Sequence, residues 1–161
     1  MLFLQKVDKD PKIKLDPKEL ALIMSNLSKV NFYKSSLQWF ALADRFSITP
    51  DYFHYGIAIV ACQRSKNFRQ SLKYYEDMKH NGFKLDLFTY NAIIEACAHG
   101  HQWEKALQFL KLMKDEKITC DTFTYNSVIS ACEKCNKWER ALEFLEEMQE
   151  VGIKPNTASY I

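Results

Sequence analysis

The sequence predicts an all-α protein: an α-solenoid of helix–turn–helix units with a thirty-five-residue period. Three observations carry that prediction. Shifted by thirty-five residues, the chain matches itself: Tyr90-Asn91 returns as Tyr125-Asn126, Trp103-Glu104 as Trp138-Glu139, Ala106-Leu107 as Ala141-Leu142, and Met113 as Met148. Self-similarity at a fixed period of this size is the signature of stacked repeats. Within a unit, apolar residues recur about every 3.6 positions, as one face of a helix requires. Finally, four Gly and four Pro are fewer punctuating residues than a turn-rich sheet protein would use.

The units follow in order. Residues 1–15 read as an N-terminal extension. Its start, Met1–Val7, is too short for a secretory apolar segment, is followed by Asp8 and Asp10, and lacks the Arg and Ser of a transit peptide. The repeat at 16–50 is divergent: Leu20, Leu27, Leu37, Phe40 and Pro50 hold their columns, but Ala43 stands where later units carry Met. The second, 51–85, is in register through Tyr55, Cys62, Leu72, Met78 and Gly82. The third and fourth, 86–120 and 121–155, are identical at sixteen positions, and a partial fifth occupies 156–161. In the fourth unit the spacing predicts a first helix over 122–134, with Phe123, Val128, Ile129 and Cys132 on its apolar face. A turn at Asn136-Lys137 precedes a second helix over 138–150, with Leu142, Leu145 and Met148 inward. Gly152 stops that helix and Pro155 prevents its continuation. A hairpin this small cannot bury its apolar face alone, so stacking in series must supply a continuous core. Leu107 is expected deep in that core, and the small column Ser36, Ser71, Ala106, Ala141 is expected to let helices approach.

Composition narrows the function classes. An apolar fraction of 47% with 26% charged residues is that of a globular chain. The formal net charge is only +2, so any case for a polyanionic partner rests on where the charges sit. No apolar run approaches the ~18 residues of a membrane helix. There is no phosphate-cradling Gly loop, no His-x-Glu with a Cys pair, and no carboxylate cluster for two-metal chemistry. The expectation is a protein that is no enzyme, with no cofactor and no small-molecule substrate. Of five cysteines, Cys62, Cys97 and Cys132 lie one period apart and read as small buried apolar residues. Cys132-x-x-Cys135 has the spacing of half a zinc site, but no second pair answers it, so no metal is expected. An odd cysteine count without a secretory signal suits a reducing compartment.

The segments 86–97 and 121–132, each an Asp-x-Phe-Thr-Tyr-Asn run ending in Ala-Cys, resemble first helices of the pentatricopeptide-repeat family. Trp138–Met148 and Gly152-Ile-Lys-Pro155 resemble its second helix and connector. The resemblance is strong over 51–155 and extends over 16–50. Tetratricopeptide repeats share the hairpin, but their period is about 34 residues and their pattern differs. The family implies a right-handed superhelix whose first helices line a concave groove, organellar RNA binding without catalysis, and about one base per repeat. In the family, the residue after the Tyr column pairs with the residue opening the next unit to read a base. Here those pairs are Asn91 with Asp121, which resembles a uracil-preferring pair, and Asn126 with Asn156, which resembles a pyrimidine pair leaning to cytosine. Gly56 with Asp86 and Ala21 with Asp51 depart from that pattern, and Ile161 stands where the fifth unit would need Asn, Ser or Thr. An Asn amide both donates and accepts, so it suits an exposed Watson–Crick edge. The alternative is that both Asn side chains merely cap or bridge helices, although Asn is mildly unfavourable inside one.

Two further columns have paired readings. Phe53, Phe88 and Phe123 correspond to family positions that sandwich bases, and equally to plain core positions. Lys29, Arg64, His99 and Lys134 share a column late in the first helix. It would form a positive stripe along a phosphate backbone, a role the family often gives a Lys here, or it is an ordinary wet surface. No acidic residue interrupts the column itself. The expected partner is pyrimidine-leaning single-stranded RNA, and the expected location is mitochondrial, or alternatively plastid. A rival reading is a structural subunit of a large organellar ribonucleoprotein, such as a mitochondrial ribosome, contacting protein and rRNA. An apolar column exposed on the second helices would favour it.

Overall fold

Every first helix starts at the residue that opens its repeat. In the computed structural model, which describes residues 14–160, Asp16, Asp51, Asp86 and Asp121 are N-caps. Their side chains accept the backbone N–H of Glu19, His54, Thr89 and Thr124. Such a cap satisfies a helix-end donor that would otherwise lack a partner and is worth about 1 kcal/mol. The helices are α1 (Pro17–Lys29), α2 (Tyr33–Ala41), α3 (Tyr52–Arg64), α4 (Phe68–His80), α5 (Leu87–His99), α6 (Trp103–Asp115), α7 (Thr122–Lys134) and α8 (Trp138–Glu150). Short 3-10 turns lie at Asp44–Phe46 and Thr157–Ser159. The N-terminal extension, apart from its last two residues, and Ile161 lie outside the described residues. No strand occurs among the described residues, and no helix there is long and apolar enough to cross a membrane.

The helix ends repeat with the same period. Asn31, Lys66, His101 and Asn136 follow the first helices with positive φ; Ser47, Gly82, Lys117 and Gly152 do so after the second. After each, the next backbone N–H reaches the carbonyl five residues back. Phe32 bonds to Leu27, Asn67 to Cys62, Gln102 to Cys97 and Lys137 to Cys132, all at 2.8–2.9 Å. The closures at Ile48, Phe83, Ile118 and Ile153 are equivalent. This is the left-handed closure that satisfies a helix's last carbonyls. Asn136 and Gly152 are legible as stops in the sequence. Lys66, His101 and Lys117 are not, because a left-handed non-Gly residue costs about 1–2 kcal/mol and is tolerated only where the fold imposes it.

The first helices α1, α3, α5 and α7 pack consecutively against one another; α2, α4 and α6 each pack on their own first helix and on the next one, and α8 packs on α7. Second helices approach one another less closely, so the first helices form the tighter inner layer of an all-α solenoid. The core runs between the layers through Leu20, Met24, Ile59, Met78, Ile93, Leu110, Met113, Val128 and Met148. The column Ser36, Ser71, Ala106 and Ala141 is buried, as close approach demands. Cys62, Cys97 and Cys132 are fully buried, and burial pushes the first two thiols up to about 12 and the third to about 11. Two leucine expectations need correction. Leu107 is only half-buried, the deep leucine of α6 being Leu110; Leu142 is 52% exposed, because among the described residues no further hairpin covers the face of α8.

Candidate nucleic-acid interface

The N-cap side chains do more than start helices. Asn91, on α5, lies beside Asp121, the N-cap of α7: its Nδ2 donates to Asp121 Oδ1 at 3.3 Å. Its Oδ1 accepts from the Thr124 hydroxyl at 2.7 Å. The amide is thereby fixed with its carbonyl turned to Thr124 and one N–H on Asp121, leaving its second N–H for another acceptor. Asp121 Oδ1 also accepts the Thr124 backbone N–H and hydroxyl. None of these bonds uses Asp121 Oδ2.

The arrangement recurs one repeat later. Asn126 Nδ2 donates to Asn156 Oδ1 at 3.0 Å, and the Ser159 hydroxyl donates to Asn126 Oδ1 at 2.6 Å. Asn156 Oδ1 takes the Ala158 N–H as well, so its Nδ2 remains as a donor. The sequence pairing of Asn91 with Asp121 and of Asn126 with Asn156 is therefore a physical contact across neighbouring repeats. The orienting hydroxyls of Thr124 and Ser159 escaped the sequence reading. Their signal was present as Asp121-x-x-Thr124 and Asn156-x-x-Ser159, the spacing of a capping box.

Asp86 and Asp51 behave differently. Gly56 offers Asp86 no amide. Burial alone would raise the Asp86 pKa, but hydrogen bonds from the Tyr52 hydroxyl and from Thr89 outweigh it and hold the carboxyl below its ordinary range. Asp51 faces Ala21 and is bound instead by His54, whose Nδ1 lies 2.6 Å from Asp51 Oδ1 and whose Nε2 lies 2.8 Å from the Pro17 carbonyl. Position 56 has no side chain, so Asp86 lacks the amide partner that Asp121 and Asn156 have across the repeat boundary.

Phe53, Phe88 and Phe123 are 70%, 65% and 47% exposed. The core-packing reading of that column is overturned. The Asn91–Asp121 pair opens into a cavity of about 340 Å³ flanked by Phe88 and Phe123, with Arg64 and Glu95 also in its wall. An equivalent cavity of about 590 Å³ lies one repeat earlier. Its lining residues Ser28, Lys29, Gly56, Ile57, Val60 and Phe88 correspond, thirty-five residues on, to Gln63, Arg64, Asn91, Ala92, Glu95 and Phe123. A periodic chain has produced a periodic groove.

Lys29, Arg64, His99 and Lys134 each occupy the last turn of a first helix. Lys29 and Arg64 line the groove cavities. His99 is half-buried. Burial lowers its pKa, the charges of Lys134 and Lys66 lower it further, and Glu95, 3.7 Å away, only partly opposes them. The imidazole is therefore neutral near pH 7, and the stripe's standing charge belongs to Lys29, Arg64 and Lys134. Glu95, one turn before His99 on α5, adds a negative charge beside that column and lines the cavity that holds Arg64. Among the described residues no cluster of His, Cys, Asp and Glu could hold a metal ion.

Comparison with known proteins agrees with this geometry. A pentatricopeptide repeat domain profile matches residues 73–135, a PPR repeat family profile matches 121–161, and a PPR repeat profile matches 53–83. The chain superposes on the crystal structure of the pentatricopeptide repeat protein PPR10 from maize with a TM-score of 0.79 at 23% identity. That match covers 99% of this chain and 23% of that one, so this chain spans about a quarter of its relative's length. PPR10 in complex with an 18-nt psaJ RNA element gives a TM-score of 0.77 at 23% identity, over 96% of this chain and 23% of that one. The PPR domain of Arabidopsis thaliana protein-only RNase P 1, in complex with tRNA, gives 0.79 at 16% identity, over 89% of this chain and 76% of that one. Comparison with curated protein sequences gives no match. The three profile matches together run from residue 53 to 161, and the solenoid agrees with them: the chain belongs to the pentatricopeptide-repeat family.

Proposed function

We propose that the protein binds unpaired RNA along the groove of its first helices, holding or protecting it without chemistry. One observation carries the reading: the Asn91 amide, locked between Thr124 and Asp121, opens into a cavity walled by exposed Phe88 and Phe123. A base entering between the rings would stack, which is worth about 1–3 kcal/mol, and would present its Watson–Crick edge to the pair. Uracil offers an N3–H between two carbonyl oxygens. Asp121 Oδ2 can accept that N–H and the remaining Asn91 N–H can donate to a carbonyl. At the next step Asn156 presents a donor where Asp121 presents an acceptor, which suits the bare N3 of cytosine. Lys29, Arg64 and Lys134 would follow the phosphates. The relatives crystallised with an RNA element and with tRNA support the same reading. An organellar setting, mitochondrial before plastid, belongs to it as well.

The test is a titration of the purified chain against short uridine-rich, cytidine-rich and purine-rich RNAs at several salt concentrations. Pyrimidine-containing RNA is expected to bind tightest, and Asn91→Ala should remove the uridine preference and weaken binding by about tenfold, the size of one base contact. An unchanged preference in Asn91→Ala would overturn the base-reading role. Weak binding without base preference would instead favour a structural role in an organellar ribonucleoprotein. The observation on that side is the exposed Trp138 and Leu142 at the end of the stack.

A further inference from the structure

The interior repeats show what the turn inside each hairpin touches. A Cβ on Gly100, just after α5, would lie 2.4 Å from the Phe68 ring of the preceding repeat. The Lys137 ammonium, just before α8, lies 5.5 Å from the centre of the Trp103 ring. Phe68 and Trp103 each open a second helix, so the turn of one hairpin is seated on the aromatic residue of the hairpin before it. At the two ends of the described stack these partners stand bare. Trp138, the counterpart of Phe68 and Trp103, is 64% exposed, and Leu142 beside it is exposed too. Val30 and Phe32, the counterparts of Gly100 and Lys137, are 58% and 61% exposed. In the later repeats their columns hold small or polar residues, Ser65, Gly100 and Cys135 in one and Asn67, Gln102 and Lys137 in the other. The first hairpin therefore carries its large apolar turn where no preceding hairpin covers it among the described residues.

The charges at the two ends are opposite. Glu139, Glu143, Glu146 and Glu150 follow one another at helical spacing and form one stripe along α8. Trp138, Leu142 and Leu145, each one residue earlier, form an apolar stripe directly beside it. Arg140 is the only cation of that helix, and it bonds to Glu143 at 2.7 Å. The matching positions of α4 and α6 are mixed in sign: Arg69, Lys73, Glu76 and His80, then Glu104, Gln108, Lys111 and Asp115. The first hairpin exposes Lys14, Lys18 and Lys34, while Asp16 and Glu19 each accept the other's backbone N–H in the cap of α1.

We infer that copies of this chain associate head to tail, the Val30–Phe32 turn of one copy docking on the Trp138–Leu142 face of another. Apolar meets apolar at the centre, and the lysines of the first hairpin meet the glutamate stripe of α8 at the rim. A two-fold pairing of α8 with itself would instead set two glutamate stripes side by side. A contact between two different surfaces leaves one of each kind free on every pair, so assembly continues as concentration rises. The inference goes beyond the RNA-binding reading and needs no RNA.

The experiment is sedimentation velocity of the full chain without RNA, from about 1 μM to about 100 μM, the range of micromolar association. The average mass of wild type should rise with concentration above the 18.9 kDa of one chain. It should fall back in about 1 M salt, where charges are screened beyond about 3 Å. Phe32→Glu and Trp138→Glu should each sediment as monomers and keep the helical circular dichroism of wild type, since both side chains are mostly exposed. Mixed in equal amounts, the two variants should form a species of about twice the monomer mass, because one keeps an intact Trp138 face and the other an intact Phe32 turn. A mixture that stays monomeric, or either variant associating alone as wild type does, overturns the head-to-tail contact. A wild type that stays monomeric throughout also overturns it and leaves the Trp138 face to a different protein.

Discussion

One Asp121 carboxylate oxygen accepts the Thr124 N–H, capping α7, and also the Asn91 amide; in the proposed reading the other accepts from a base, which would join folding to recognition in a single side chain. Mutation to Ala would remove both roles and confuse them. Asp121→Asn separates them, because Asn caps helices about as well as Asp while offering a donor in place of an acceptor. The expected outcome is a melting temperature close to wild type with a preference moved from uridine toward cytidine, reproducing the Asn126–Asn156 step. Equal binding to both bases before and after the change would remove Asp121 from base reading. Threonine 124 is the silent member of this set: fully buried, it turns the Asn91 amide so that a donor, not an acceptor, faces the groove.

Each hairpin is stabilised through its contacts with neighbours. Leu110 of α6 is 2% exposed within the main core, whereas Leu107 on the same helix is half-buried. Leu110→Ala should therefore destabilise the fold by about 2–5 kcal/mol, the range for a buried leucine that leaves a cavity. Leu107→Ala should cost less, and chemical denaturation compares the two directly. Equal losses would contradict the packing order described here. The layer spacing has the same origin. Ser36, Ser71, Ala106 and Ala141 carry almost no side chain between helices, so hairpins close tightly and the first helices meet as one continuous surface. Tyr125 and Lys114 tie the last two repeats together through Glu147. Burial raises the Glu147 pKa, but those two partners outweigh it and hold it below its ordinary value.

At the scale of the whole molecule, thirty-five-residue stacking turns single residues into lines. Lys29, Arg64 and Lys134 carry no message individually in a chain whose net charge is +2. All three sit at the last turn of inner helices, and Lys29 and Arg64 line the groove cavities where, in the proposed reading, phosphates run. Each phosphate neutralised on a single strand contributes about −0.7 to the slope of log K against log salt. Arg64→Glu combined with Lys134→Glu should weaken RNA binding at low salt and flatten that slope, with base preference retained. Filter binding at three or more salt concentrations checks this, and an unchanged slope would detach the stripe from RNA.

The fold was legible because periodicity is a one-dimensional property. A thirty-five-residue shift, a 3.6-residue apolar rhythm and the small column determine stacked helical hairpins without coordinates, and α7 and α8 fall on the intervals their spacing predicted. The Asn91–Asp121 and Asn126–Asn156 pairs were likewise legible, through family resemblance. What only the tertiary structure decided concerns contacts between repeats and the space between them. It placed the Phe column in solvent, an outcome that spacing could not separate from core. It lowered the His99 pKa, by burial and by the charges of Lys134 and Lys66 on other repeats. It set the Asp86 carboxyl near the Tyr52 hydroxyl, with no amide at position 56 to meet it. A sequence lists which side chains share a column, but volume, exposure and the partner across a repeat boundary depend on three-dimensional distance.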